Sequence, residues 1–166
     1  MPPRSSASDP QAIRIRRARR SDLPALIDLE NRAFSSDRMS TRQLRHHLGN
    51  PGAEILVAAR SREVVGVAVL FLHPRHRAAR LYSIAVSAHA RGAGIGEALL
   101  AAAERAARAH GKTLIRLEVR ADNAAAQRLY EQRGYRRFGS RPVYYEDGHD
   151  ALRYEKVLTR ARAAGR

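Results

Sequence analysis

The sequence predicts a single-domain α/β sandwich. Short β-branched apolar runs alternate along the chain with segments of helical periodicity, which is the pattern of strands interleaved with helices. A length of 166 residues with 44% hydrophobic content suits one buried core. No internal repeat is visible. No apolar run approaches the ~20 residues of a membrane span, and the first twenty residues hold no apolar stretch of a secretory signal. The chain has no cysteine, which excludes a disulfide framework, a thiolate zinc site and a catalytic thiol. These features lead to the expectation of a soluble, cytoplasmic protein.

In chain order, Ile13 and Ile15 alternate with Arg14 and Arg16, predicting a short first strand. Ser21 before Asp22-Leu23-Pro24 signals a helix start, continued at helical spacing by Leu23, Leu26, Ile27 and Glu30. A second helix over 41–48 stops at Gly49-Asn50-Pro51-Gly52. The apolar runs 54–60 and 64–72, separated by Ser61-Arg62-Glu63, predict a hairpin, and 80–86 a further strand. The clearest helix covers 94–110, with Ile95, Leu99, Ala103, Ala106 and His110 on one stripe and Gly111 at its end. Residues 114–120 alternate strictly, with Ile115, Leu117 and Val119 on one face and Arg116, Glu118 and Arg120 on the other. Asp122 or Asn123 caps a helix running to Arg133, ended by Gly134. Strands over 135–138 and 151–158 then close the domain around a loop over 144–150, where Asp147-Gly148 makes a turn.

The formal net charge of +15 is mostly terminal. Residues 1–20 carry +5, 159–166 carry +3, and 21–158 the remaining +7. The Pro- and Ser-rich stretch 1–11 is expected to be a disordered basic segment, 12–158 the folded domain and 159–166 a basic tail. Such ends suit a loose association with ribosomes or nucleic acid, or reflect arginine-rich composition alone. The seven histidines form no ligand framework with nearby carboxylates, so no metal is expected.

Arg91-Gly92-Ala93-Gly94-Ile95-Gly96 joins a predicted strand to the best helix. Glycines there let backbone N–H groups converge beside a helix N-terminus, an arrangement suited to phosphate oxygens. A tight turn without a ligand has the same local signature. The dinucleotide fingerprint fails because Glu97 stands where its third glycine belongs, and Gly111-Lys112-Thr113 fails as a P-loop because Ala106 replaces the first glycine.

Leu81-Tyr-Ser-Ile-Ala-Val86, the glycine loop with Glu97-Ala-Leu-Leu100, Leu117-Glu-Val-Arg120, Asn123-Ala-Ala-Ala126, Leu129-Tyr130, Gly134-Tyr135, Tyr144-Tyr145 and Asp150-Ala-Leu152 follow one another in order. This series resembles the GNAT superfamily of N-acetyltransferases, and within it the bacterial ribosomal-protein alanine N-acetyltransferases. The resemblance implies a mixed, mostly antiparallel β-sheet flanked by about four helices, and acetyl-CoA as co-substrate. It further implies that backbone groups of Ile84, Ala85 and Val86 hold the pantetheine arm. Arg91, Gly92, Ala93, Gly94, Ile95, Gly96 and Glu97 would take the pyrophosphate, and Asn123 would also contact the arm. Glu118 is implied as general base and Tyr130 as general acid toward the leaving thiolate. Apart from the resemblance, Glu118 is equally a solvated member of a charge ladder with Arg116 and Arg120, and Tyr130 a core aromatic.

Glu146, Asp147 and Asp150, beside Tyr144 and Tyr145, form an acidic rim suited to a cationic amino terminus or lysine; Tyr144, Tyr145 and Glu146 are the expected acceptor contacts. The ribosomal-protein enzymes carry Pro-Trp after the phenylalanine that follows the first helix, whereas this chain has Phe34-Ser35-Ser36-Asp37 and no tryptophan. Their acceptor is therefore not carried over with the fold. The expected activity is acetyl transfer to a protein or peptide amine by direct attack. A small-molecule amine, a non-catalytic CoA-binding regulator and a nucleic-acid-binding module are the alternatives.

Overall fold

A computed structural model describes residues 9, 11–34 and 36–159. The expectations for 1–11 and 159–166 lie, apart from residues 9, 11 and 159, outside the described residues. The chain runs β1 (Ile13–Arg17), α1 (Leu23–Ala33), α2 (Thr41–Leu48), β2 (Ala53–Arg60), β3 (Glu63–Phe71), β4 (Ala78–Val86), α3 (Ile95–Ala109), β5 (Leu114–Arg120), α4 (Ala124–Gln132), β6 (Arg136–Arg141) and β7 (Ala151–Val157). The seven strands form one sheet in the order β1-β2-β3-β4-β5-β7-β6. Every neighbouring pair is antiparallel except β4 and β5, so the mixed sheet with four α-helices is the expected architecture. No helix among the described residues is long and apolar enough to cross a membrane.

Each sheet face has its own core. Leu26, Leu29 and Leu44 of α1 and α2 pack on Ile55, Val57, Val67 and Val69. On the other face Ile95, Leu99, Leu100, Ala103 and Ala107 of α3 meet Leu56, Ala68, Leu81 and Ile115. The buried stripe of α3 also takes in Leu100 and Ala107, and Ala106 packs against it half-buried, but His110 leaves it: His110 is exposed and its ring nitrogen meets the Ala106 carbonyl at 2.9 Å. Gly66 of β3 lies under this helix, where an added Cβ would sit 3.0 Å from Leu99 and 3.1 Å from Ile95.

Two local expectations shift, at Ser21 and Tyr135, and the structure selects one of the two caps offered for α4. Ser21 lies inside a single 3-10 turn, and Asp22 stands at the N-cap of α1 without a side-chain bond to that helix; its carboxylate instead accepts from the Arg19 N–H at the head of the turn at 2.7 Å and pairs with Arg16 at 2.7 and 2.9 Å. Of the two proposed caps for α4, Asn123 serves, its Oδ1 accepting from the Ala126 N–H at 3.1 Å. Tyr135 is not in a strand: it is buried against Tyr130, and β6 begins one residue later and runs on to Arg141. Lys112 serves neither a P-loop nor the surface; its Nζ donates to the His73 and His76 carbonyls at 2.6 and 2.7 Å and ties down the loop before β4.

The one parallel pairing is short. β4 and β5 are joined only from Ala78↔Leu114 to Leu81↔Leu117. Beyond that point the strands part, because an irregularity between Val69 and Leu70 leaves Tyr82 as an extra residue on β4 and turns the strand. The edges of 82–86 and 118–120 therefore border a gap inside the sheet instead of pairing with each other.

Candidate active site

The gap opens into a cleft of about 580 Å³. Leu81, Tyr82, Ser83 and Ile84 of β4 form one wall and Glu118, Val119 and Arg120 of β5 the other. Asn123, Ala126 and Tyr130 of α4 close one side, and Glu30, Phe34 and Asp37 with Tyr144 and Tyr145 the opposite side. The structure thus brings Ile84, Glu118, Asn123, Tyr130, Tyr144 and Tyr145 together. Glu146 stays outside the lining; its backbone N–H donates to Asp37 Oδ2 at 3.2 Å and joins the loop after α1 to the β6–β7 loop.

Glu118 departs from its expected surroundings. Arg116 pairs with Glu155 at 2.9 Å, and Arg120 pairs with Asp122 at 3.0 Å and Asp147 at 2.8 Å. The neighbours of Glu118 come from other strands: Arg80 Nε at 3.2 Å and Arg153 Nε at 3.8 Å. With its side chain 11% exposed, Glu118 is not a solvated ladder member. Arg80 also donates to the Tyr144 hydroxyl at 2.8 Å, so one guanidinium orients both a cleft carboxylate and an acceptor-side phenol. Burial on the cleft side raises the Tyr145 hydroxyl above the ordinary tyrosine range.

Tyr130 is 8% exposed and lies within 5.7 Å of the Tyr135 ring centre, which accounts for its core-like setting. It nevertheless lines the cleft, and desolvation pushes its hydroxyl up to about 12. The phenol is therefore held protonated across the neutral range.

The glycine loop lies outside the cleft lining, at the head of α3. Gly92 and Gly94 take left-handed φ values of 84° and 74°, and an added Cβ at either would meet nothing within 4 Å. The first helical bond of α3 is Ala98 N–H to Gly94 at 3.0 Å, leaving the amides of Ile95, Gly96 and Glu97 without an intrahelical acceptor. Ile95 itself is buried under the loop, and Ala85 and Val86 pack into opposite cores, so these residues offer backbone groups only. Arg91 is exposed beside the loop, and Glu97 pairs with Arg133 at 3.0 Å.

Local sequence pattern missed four cleft residues. Arg80 carries no local signal beyond its place in a strand, and its partner lies 38 positions away. Glu30 falls on a helical stripe in the sequence; it is 2% exposed, accepts from the Met39 N–H at 3.0 Å, and its carboxyl is raised by desolvation. Ser83 lines the cleft with its hydroxyl buried and unpartnered among the described residues. Asp37 holds a left-handed φ of 57° at the mouth. A polar residue within an otherwise apolar run was the available signal for Ser83 and Glu30.

A model of the acetyltransferase (GNAT) family matches residues 23–135. The chain is 30% identical over 139 residues to a Bacillus subtilis (strain 168) protein provisionally named ribosomal protein bS18-alanine N-acetyltransferase, covering 83% of this chain and 91% of that one. It is also 30% identical over 162 residues to an N-alpha-acetyltransferase of Sulfurisphaera tokodaii, covering 89% and 94%. The crystal structure of the ribosomal-protein-S18-alanine N-acetyltransferase from Escherichia coli superposes with a TM-score of 0.80 at 26% identity over 93% of this chain and 99% of that one. The fold, the split between β4 and β5 and these matches place the chain in the acetyltransferase (GNAT) family, as an acetyl-CoA-dependent N-acetyltransferase.

Proposed function

We propose that the chain acetylates an amino-terminal amine of a protein or peptide, or a lysine, by direct attack of the amine, with Glu118 as base and Tyr130 as acid. The observation that carries this reading is the meeting of Glu118 and Tyr130 in one cleft, at the point where β4 and β5 part. Two relatives whose names specify alanine or Nα-acetylation support an amino-terminal acceptor.

The residues present fit acetyl-CoA. Strand edges over 82–86 offer backbone groups to an extended amide-bearing arm, and the left-handed glycines with the head of α3 offer amides to a diphosphate. Acetyl-CoA, when bound, supplies an activated acetyl thioester. Asn123 and Ala126 give its arm a close approach to α4, and Arg91 adds positive charge near the loop.

Glu118, oriented by Arg80, receives the proton that an acceptor ammonium must lose before attack. Tyr130 holds a proton on its hydroxyl for a departing sulfur. Against a thiol's ordinary value of about 8.5, a phenol near 12 donates uphill by about 5 kcal/mol. That is compatible with the barrier of about 16 kcal/mol that corresponds to a turnover of about 10 s⁻¹. A thiolate leaving into the same desolvated cleft is raised by the same burial, which narrows the gap.

Thiol release from acetyl-CoA, measured over peptides and small amines, tests the reading. Glu118→Gln and Tyr130→Phe should each lower turnover on a peptide by about 10²–10⁴-fold while preserving the thermal shift given by acetyl-CoA. Unchanged rates would remove both roles, and turnover confined to small amines would replace the acceptor.

A further inference from the structure

On the sheet face that carries α1 and α2, those helices lie over β2, β3 and β4. The half built from β5, β7 and β6 presents arginines on the same face. The strand registers align them in rows that begin at the cleft: Arg80, Arg116, Glu155 and Arg136 in one, and Glu118, Arg153 and Gly139 in the next. Arg120, Ala151 and Arg141 form a third. The carboxylates within the first two rows are already taken, Glu155 by Arg116 and Glu118 by Arg80 and Arg153. Arg136 and Arg141 are exposed and enter no ion pair with a described residue.

We infer that this arginine face, resting on the peptide-acceptor reading above, docks an acidic segment of the acceptor polypeptide just behind the amine held at Glu118. Charge complementarity carries the choice of partner. A guanidinium fork matches a carboxylate in two parallel hydrogen bonds, and the face is continuous with the cleft wall. A single-stranded nucleic acid is disfavoured because binding it calls for free aromatic faces. The one exposed ring here, Phe138, already carries the Arg153 and Arg116 guanidiniums at 4.7 and 5.0 Å from its centre. The acceptor is thus bipolar: a cationic end enters a cleft lined by Glu30, Asp37 and Glu118, and an anionic stretch follows it.

Geometry sets the spacing. Neighbouring strands lie about 4.8 Å apart and an extended chain advances about 3.3 Å per residue. From β5 across β7 to β6 is therefore about 10 Å, or roughly three residues of acceptor beyond the amine. Acidic residues at roughly positions three to six should be felt, and those beyond about position ten should not.

The test compares peptides of one length with Asp, Asn or Lys at those positions. Turnover is followed by thiol release, and binding by anisotropy of an amino-blocked, fluorescent Asp peptide. Expected is about a tenfold higher kcat/KM for the Asp over the Asn series at low salt, shrinking in 0.5 M salt. Arg136→Glu should remove the preference and weaken the anisotropy signal, with kcat on the Asn series unchanged; Arg141→Glu, checked by its melting curve, provides a second variant. Equal rates for all series, or a preference indifferent to Arg136→Glu, would overturn the inference. So would a single-stranded RNA that inhibits through Arg136 while the peptides show no charge preference. Loss of all peptide turnover with intact, Arg136-dependent anisotropy would instead remove the acceptor reading and leave the docking surface standing.

Discussion

Glu30 illustrates how a single cleft residue balances stability against accessibility. It is 2% exposed, and burial raises its carboxyl against the opposing hydrogen bond from the Met39 N–H. A raised carboxyl pKa means that the folded state disfavours the charged form. The penalty is absent while the group is protonated in both states, near pH 4, and grows as the pH climbs through the folded-state value. Glu30→Gln keeps the acceptor oxygen for Met39 and removes the charge. Melting curves should show no difference from wild type near pH 4 and a higher Tm for the variant at pH 8; a lower Tm at pH 8 would refute the sign. The catalytic candidates were legible because Glu118 and Tyr130 sit in short local motifs. Their electrostatic setting was not, since Arg80 and Arg153 reach Glu118 only through pairings that bring distant strands together, while Arg116 and Arg120, its neighbours in sequence, turn to Glu155, Asp122 and Asp147.

At the scale of elements, α3 and the loop before it are the most predictable part of the chain, for physical reasons. Fifteen helical residues with an unbroken apolar stripe tolerate no other period, and glycines at left-handed positions announce the turn that feeds the helix. β6 was harder to place because its six residues are mostly exposed and obey no burial alternation, so its start and end depend on its partner β7. The loop makes a clean experiment. A Cβ added at position 94 meets nothing within 4 Å, so the main cost of a valine there is the left-handed backbone, about 1–2 kcal/mol. Acetyl-CoA at about a hundred times its Kd should stabilise the wild type by about 2.7 kcal/mol. Gly94→Val should lose that thermal shift while keeping a cooperative melt; a retained shift would mean that the loop does not hold the cofactor. Within the core, Leu99→Ala removes a fully buried side chain that also packs over Gly66, and should lower stability by about 2–5 kcal/mol in denaturant titrations.

For the whole molecule, the charge of +15 changes meaning once it is mapped. Composition alone invites a nucleic-acid partner. Within the folded body Arg80 and Arg153 hold the cleft carboxylate Glu118, Arg91 borders the glycine loop and Arg136 and Arg141 lie on an open sheet face, while Arg16, Arg17 and Arg32 pair with Asp22, Glu54 and Asp28 elsewhere. Removing residues 1–11 and 159–166 should leave kcat and KM on a short peptide within about twofold; a large loss would make the chain ends part of the catalytic unit. That division into ends and a 12–158 domain rests on composition, and the truncation is its direct test.

The four-residue parallel ladder between β4 and β5 has a consequence for how the molecule breathes. Among the described residues it is the only strand pairing between a four-stranded antiparallel half and a three-stranded one. Amides along 82–86 and 118–120 that face the gap are left to water, and should exchange with deuterium far faster than those of β2 and β3 a few ångströms away. An acyl arm lying in the gap would act as the missing piece of strand. Slow exchange at these amides only in its presence would then report occupancy strand by strand.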